Sequence, residues 1–452
     1  MNDDLLELAR RVAGEAQPNE HIEVLVSRGR DTDVRAYRGA VESLTVAGSE
    51  GIGVRVISEG RQGLAWAGTL EATAVAETLA AARDNARFSE PDEYVGLATP
   101  IDVASAPIPE LSLWDDTVLR ESTESKVARA LELEAATIAL DARVRNVRSA
   151  SYTDGWGASA LVNSLGVEAV SASTGASCSV SALATDGDET QTAGGFSVAR
   201  GFAGVDVAEA AAMAVTRATR LLGAVSIPSR RVLIILDPMV TRSFLALIGA
   251  ACNAESVQRG RSMFGERMGE SIGSESVTLI EDPTIQDAYG ASTHDGEGIP
   301  TRRITLIDRG VLRSWLHNTY TARKGGTTTT ASAVRGLGSA PGVGARALFL
   351  APGPDDPDAI LASVPEALYV QSVSGLHSGT NTASGDFSVG ADGLMVRGGA
   401  FAEPVREVTV ASTLPRMLLD ITAVGSDLTW LPGGGAGQTV LIGEMSLAGR
   451  DA

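Results

Sequence analysis

The chain has 452 residues, 44% of them hydrophobic, which is enough apolar material for sizeable cores and excludes global disorder. Its formal charge of −19 disfavours nucleic-acid binding, because an acidic protein forfeits the counterion release that drives it and no basic run compensates locally. Cys178 and Cys252 stand far apart, so no disulfide framework is indicated and a reducing compartment suits the chain.

The N-terminal MNDDLLELARRVAGEA opens acidic and lacks a basic stretch followed by an apolar run, so no signal peptide is expected. The longest apolar runs, such as residues 232–236, are too short to span a bilayer. No membrane contact is expected, and the cytoplasm is the expected location.

In chain order, Leu5, Leu6, Leu8, Ala9, Val12 and Ala13 recur at helical spacing and predict a first helix. After Pro18 the texture turns to period two. Residues 21–27 and 32–38 read as paired strands around a turn at Gly29-Arg30-Asp31, and 41–46, 51–57 and 63–67 continue the meander, with Glu59-Gly60 as a turn. An alanine-rich helix is predicted at 71–87, a proline-rich acidic connector at 89–109 and a long helix at 115–141. Strands at 144–150, 156–163 and 167–184 and a helix at 208–222 complete an N-terminal unit, residues 1–226. Antiparallel strands with flanking helices make it α+β.

The boundary is placed at Ile227-Pro228-Ser229-Arg230-Arg231, and residues 227–452 read as a mainly antiparallel β domain with a few helices. A buried strand at 232–236 leads to a helix from Pro238, a residue suited to a first helical turn, to about Cys252. Strands follow at 277–281, 303–307, 311–316, 367–373, 393–397 and 405–410, then a helix at 414–424 and a closing strand at 439–442. The glycine- and threonine-rich stretch 325–344 has few apolar anchors and reads as a mobile loop.

Most catalytic signatures are missing. The four histidines, His21, His294, His317 and His377, never pair at i, i+4, and no H-E-x-x-H, C-x-x-C, EF-hand or P-loop pattern occurs. The one G-x-S-x-G match, Gly269-Glu270-Ser271-Ile272-Gly273, lacks the strand-then-helix setting of a nucleophile elbow. The run Gly433-Gly434-Gly435-Ala436-Gly437 follows a helix and precedes a strand, the reverse of a dinucleotide fingerprint. His317 reads as a half-exposed strand residue, Cys252 as a buried small hydrophobe, and His377, in a glycine-rich loop, as a binding candidate.

Three stretches carry a family resemblance. One runs from His294-Asp295-Gly296-Glu297-Gly298-Ile299-Pro300-Thr301-Arg302-Arg303 through Ile307-Asp308-Arg309-Gly310-Val311-Leu312 to Tyr320-Thr321-Ala322-Arg323-Lys324. A second is Gly385-Asp386-Phe387-Ser388 with Gly390-Ala391-Asp392-Gly393 and the strand start at Pro404-Val405. The third is Gly51-Ile52-Gly53-Val54-Arg55-Val56 with Gly60-Arg61-Gln62-Gly63. In this order they resemble the TldD/PmbA proteins, also called modulators of DNA gyrase.

In the TldD branch of that family, the helix matching the one after Pro238 carries H-E-x-x-x-H, and a cysteine near the C-terminus completes a zinc site. Counted back from Gly260-Arg261-Ser262, those positions here hold Leu245, Ala246 and Ala250, and the cysteine position falls within 433–437. No histidine occurs between Ile22 and Thr293, so a register error would not restore the motif. The chain therefore resembles the PmbA branch, also called TldE.

What this implies is a non-catalytic subunit of a heterodimeric zinc metallopeptidase that degrades unfolded peptides or trims leader segments. The chain itself would hold no cofactor; the zinc would sit in a TldD-type partner, with a homodimer forming when that partner is absent. An open-edged sheet can accept an extended peptide as an added strand, and Tyr320, Arg323, His377 and Asp386 are the expected lining residues. Two other readings stay open. One is a stand-alone hydrolase using Cys252 or Ser271; the other is a regulatory binding protein acting on gyrase or a toxin–antitoxin system.

Overall fold

Apolar spacing sets the start of the fold. In the computed structural model, which describes residues 2–450, helix α1 (Asn2–Ala13) buries Leu5, Ala9 and Val12. Asp3 and Asp4 lie in its first turn and Arg10 and Arg11 in its last, the signs that its dipole favours. Strands β1 (Glu20–Tyr37), β2 (Ala40–Ser58) and β3 (Arg61–Ala67) follow, then α2 (Ala72–Phe88) and two single turns, α3 (Pro100–Val103) and α4 (Thr117–Arg120). Helix α5 (Thr123–Leu140), strands β4 (Val144–Asn163), β5 (Glu168–Asp186) and β6 (Glu189–Ala199), and α6 (Val207–Thr219) complete the first half.

These six strands form one antiparallel sheet in the order β3-β2-β1-β4-β5-β6. With 20 residues, β4 extends roughly 65 Å at about 3.3 Å per residue. Even-numbered residues of β1 face the helices. Ile22, Val24 and Val26 pack on α1 and α2 at one end, and Val34 and Ala36 pack on α5 and α6 at the other.

The period-two texture is right, but several predicted breaks are absent. The turn at Gly29-Arg30-Asp31 does not exist: β1 runs straight through, with Gly29 opposite Ser49 and Gly157. Glycine is needed there because a Cβ would lie 2.9 Å from the Trp156 carbonyl oxygen of the neighbouring strand. Likewise 41–46 and 51–57 are one strand, as are 144–150 and 156–163. The Glu59-Gly60 turn is present, with φ of 53° and 73°. The helix predicted at 115–141 breaks before α5, where Ser122 caps the new start by accepting from Ser125 N–H. Polar β6 escaped prediction altogether.

The second half begins with β7 (Arg230–Leu236), α7 (Pro238–Ala251), α8 (Ala254–Gln258), β8 (Leu279–Glu281), β9 (Ile304–Asp308) and β10 (Val311–Leu312). Helix α9 (Thr319–Lys324), the short strands β11 (Ala333–Val334), β12 (Gly342–Val343) and β13 (Leu348–Leu350), and α10 (Pro357–Ala362) come next. The remainder is β14 (Glu366–Ser374), α11 (Leu376–Gly379), β15 (Asp386–Arg397), β16 (Ala400–Thr413), α12 (Leu414–Leu419), β17 (Ile421–Val424), β18 (Thr429–Trp430), β19 (Ala436–Gly437) and β20 (Val440–Ala448).

Its main sheet has the order β16-β15-β14-β7-β20-β17, and an extra β16–β20 pairing curls it back on itself. All pairs are antiparallel except β7 with β14. Ile234, Leu236, Phe244, Ile248, Leu368 and Met395 fill the interior, each buried aliphatic or aromatic side chain contributing roughly 1.5–3 kcal/mol. The chain is α+β, with 25% helix and 40% strand.

Four readings need correction in this half. The helix predicted at 414–424 stops at Leu419, and Ile421 opens a strand. The pairing predicted for 311–316 is confined to Val311 and Leu312. His317 is not on a strand but sits two residues before α9, 7% exposed. The stretch 325–344 does not hang free: Thr329, Thr330 and Ser332 are buried, and both threonine hydroxyls donate to the His317 carbonyl.

Candidate functional site

Helix α7 starts where Asp237 accepts from Met239 N–H at 3.0 Å and Pro238 fills the first turn. Its inner face, Val240, Phe244, Leu245 and Ile248, is core; its outer face carries Arg242, Ala246 and Ala250. That outer face opens onto a cavity of about 260 Å³, closed on the far side by residues 343–346 and Gly433-Gly434-Gly435. Arg242 ties the two walls together, donating to the carbonyls of Gly433 at 2.8 Å and Gly434 at 3.2 Å.

The positions expected to match the metal motif thus share one cavity with the stretch expected to match its cysteine. Their chemistry does not fit a zinc ion. Leu245, Ala246 and Ala250 offer no lone pair, and the charged side chains bordering the space, Arg242 and Arg346, are cationic. Asn253 is spent on structure: its Nδ2 donates to the Val343 carbonyl and its Oδ1 caps α8. Among the described residues, no three His, Cys, Asp or Glu side chains are placed to hold a metal. Cys252 points into the core, fully buried, and burial pushes its thiol up to about 12. Among the described residues, the Ser271 hydroxyl finds only the Gly273 carbonyl, at 3.4 Å.

The four expected lining residues fall into two separate pairs. Tyr320 and Arg323 lie on α9 and reach across to the first half. Tyr320 Oη donates to Asp92 at 2.8 Å, and Arg323 donates to the carbonyls of Leu97 and Tyr94. His377, in the single turn α11, and Asp386, at the start of β15, are exposed; Asp386 accepts from Ser384 Oγ at 2.6 Å. No hydrogen bond among the described residues joins the two pairs.

What the sequence reading missed is a set of buried carboxylates around the same loops. Asp295 accepts from the N–H groups of Glu297, Ile299 and Ala333, and Glu297 accepts from Thr319 N–H at 2.9 Å, anchoring the start of α9. Burial pushes both acids above the usual carboxylate range, and for Glu297 the neighbouring Asp295 charge adds to the effect. Nearby, buried Glu23 of β1 pairs with Arg55 of β2 and with Arg335 from the second half. Burial opposes its ionisation, but the two guanidinium charges hold it below its ordinary value. An acid at position 23, between Ile22 and Val24 in an apolar strand, is the signal that could have marked this contact.

Above that contact, the helix-free face of the first sheet opens as a groove of about 1100 Å³. Its floor is made of small residues of β1, β4 and β5, among them Ser27, Gly157, Ser171 and Gly175; residues 111–114 and 291–293 form its walls. Trp156, opposite Arg30, projects on the helix-covered side, where it meets Trp114 with ring centroids 6.3 Å apart. A Cβ added at Gly157 or Gly175 would meet nothing within 4 Å. Hydroxyls and exposed backbone equip such a space for binding, not for bond cleavage.

Three family profiles match the chain: PmbA/TldA metallopeptidase domain 1 over residues 22–86, the central domain over 117–222 and the C-terminal domain over 229–449. Metalloprotease PmbA of Escherichia coli O157:H7 is 27% identical over 434 residues, covering 95% of this chain and 92% of that one. A Methanothermobacter thermautotrophicus protein named Metalloprotease is 29% identical over 439 residues, covering 94% and 92%. The crystal structure of TldE from Thermococcus kodakarensis aligns with a TM-score of 0.88 over 99% of both chains, and at 20% identity it speaks for the fold alone. No helix among the described residues is long and apolar enough to cross a membrane. Profiles along most of its length, relatives across nearly all of it and a shared fold agree: the chain belongs to the TldD/PmbA metallopeptidase family.

Proposed function

We propose that this chain is the non-catalytic, TldE-type subunit of a heterodimeric zinc metallopeptidase acting on unfolded peptides, with the metal held by a TldD-type partner. The observation that carries this reading is the α7 cavity, where hydrocarbon and a guanidinium occupy the space in which a metallopeptidase needs lone-pair donors. Water activation requires a metal or a base beside the scissile bond, and Ala246 supplies neither. The chain's own contribution is binding and partner support, in the cytoplasm, without nucleic acid or membrane.

The groove on the first sheet is the place we assign to the peptide. It is long and open enough for an extended chain, and its floor of glycines and serines lets a backbone approach closely. His377 and Asp386, exposed on the second half, remain available to a longer substrate or to the partner.

The test is co-purification with a family member that carries H-E-x-x-x-H, followed by metal analysis and digestion of an unstructured peptide. Expected are no stoichiometric zinc and no cleavage for the chain alone, and cleavage once the partner is added. One zinc per isolated chain together with unaided hydrolysis would overturn the reading.

A further inference from the structure

The groove on the first sheet runs on past its floor. Gly175 and Val198 line both the groove and a second cavity, of about 550 Å³, beside the edge strand β6. Helix α6 borders that cavity with Glu209 and Met213, and residues 286–289 and 428–430 of the second half border it with the rest of its wall. The two spaces are fastened together. Gln286 accepts from Ser112 N–H at 2.9 Å and donates to the Ser112 carbonyl at 2.7 Å, tying a wall of the cavity to a wall of the groove. Tyr289 Oη donates to the Val198 carbonyl of β6 at 3.3 Å.

One cation lines this cavity. Arg200 directly follows β6; its carbonyl accepts from Thr174 Oγ1 at 2.7 Å and its Nη2 donates to the Ala288 carbonyl at 2.8 Å. Among the described residues no carboxylate lies within ion-pair distance of it, and the rest of its fork has no partner. Burial pushes the guanidinium below its ordinary value, since no anion offsets the lost water. A carboxylate fits what is left open, because it can accept two parallel N–H bonds from one edge of a guanidinium.

The surroundings narrow the ligand further. Glu209 and Asp287 are exposed at the rim of a chain whose net charge is −19, a setting that repels polyanions and suits a single carboxylate. Phe196, Met213, Leu428 and Trp430 are half-buried and supply an apolar wall. Trp430 is held edge-on against Phe349, with centroids 5.6 Å apart. Reach also fits. The groove begins at Ser49 of β2, and the sheet order β2-β1-β4-β5-β6 sets four interstrand steps between that strand and β6. At about 4.8 Å per step this is roughly 19 Å, which about six residues of an extended peptide cover.

We propose that the cavity reads the end of the peptide, taking its C-terminal carboxylate on Arg200 and an apolar last side chain against Phe196 and Trp430. The proposal rests on the assignment of the groove to the peptide, and it names the substrate class: an unfolded segment with a free carboxyl end.

Fluorescence anisotropy on the full chain alone tests it, with an N-terminally labelled glycine–serine hexapeptide ending in leucine as the probe. The free acid should bind about tenfold more tightly than the same peptide with a C-terminal amide. Arg200→Gln should bring the acid down to the amide's affinity and leave the amide's own affinity unchanged, a pattern that a merely structural loss would not give. Acid and amide binding the native chain equally would overturn the proposal and leave the groove assignment standing. Neither peptide binding at tens of micromolar chain would overturn both. An amide with glutamate in place of an internal glycine separates the two sources of a carboxylate: if it binds as tightly as the acid, a side chain serves, the terminus is not read, and the proposal falls. The acid–amide comparison needs only the native chain, so it decides the matter even where Arg200→Gln misfolds.

Discussion

Tyr320 in the second half of the chain donates its hydroxyl to Asp92 in the first, across 228 residues of sequence, at 2.8 Å. Arg323, one turn further along α9, donates to the Leu97 carbonyl, and Tyr94 meets Tyr320 edge-on with centroids 6.4 Å apart. Two residues expected to face substrate therefore clasp the connector to the second half.

From this follows a stability prediction. Tyr320→Phe removes one hydrogen bond to a carboxylate while keeping the ring, and should cost about 1.5 kcal/mol. Urea titration should find a lower midpoint at unchanged slope, with peptide cleavage by the assembled complex retained. An unchanged midpoint with weakened peptide binding would return Tyr320 to the substrate site.

Much of the fold can be read from alternation, because one face of nearly every strand is buried. Glycine was the misleading letter. Gly29 marks a close approach of two strands, whereas Gly39 and Gly60 mark turns, and only the backbone angle separates the cases. The site was harder to read. Leu245, Ala246 and Ala250 could be placed on α7 by pattern, but the cavity they share with Gly433-Gly434-Gly435 depends on long-range packing. Asp295 and Glu297 stood in a quoted motif, yet their role as acceptors for buried N–H groups depends on where Ala333 and Thr319 come to lie.

Glu281 gives a pH prediction. Its carboxylate accepts from the N–H groups of Arg346 and Ala347, yet burial still pushes it from 4.5 up to about 7. Between those values the folded chain keeps a proton that the unfolded chain has released. The contribution to stability is therefore full below 4.5 and is lost as pH rises through about 7. Glu281→Gln removes this titration. Across the window the stability difference should move in the variant's favour by roughly 3 kcal/mol as pH rises, read from urea midpoints at a series of pH values. A difference that stays constant with pH would mean that Glu281 ionises normally.

The α7 positions should respond unequally to metal-ligand side chains. Leu245 is 1% exposed and packed in the core, so Leu245→His loses apolar burial and brings in a polar ring, costing about 3 kcal/mol. Ala246→Glu and Ala250→His face the cavity and should each stay within about 0.5 kcal/mol of the native chain. Thermal melts of the three single variants would check the order. Equal effects would mean that Leu245 does not anchor this helix.

The groove offers a comparison in which stability and binding should move in opposite directions. Gly157 and Gly175 sit in strands with open space where a Cβ would be. Valine at either position should leave the melt unchanged or raise it, since glycine inside a strand costs roughly 0.5–1 kcal/mol in chain entropy. Gly393, by contrast, would place a Cβ 1.9 Å from the Tyr369 carbonyl oxygen, so Gly393→Ala should unfold the second half. If an extended peptide lies in the groove, Gly157→Val and Gly175→Val should raise the KM of the assembled complex severalfold at constant kcat. An unchanged KM in both variants, with the native fold intact, would remove the peptide from this groove while leaving the partner reading in place.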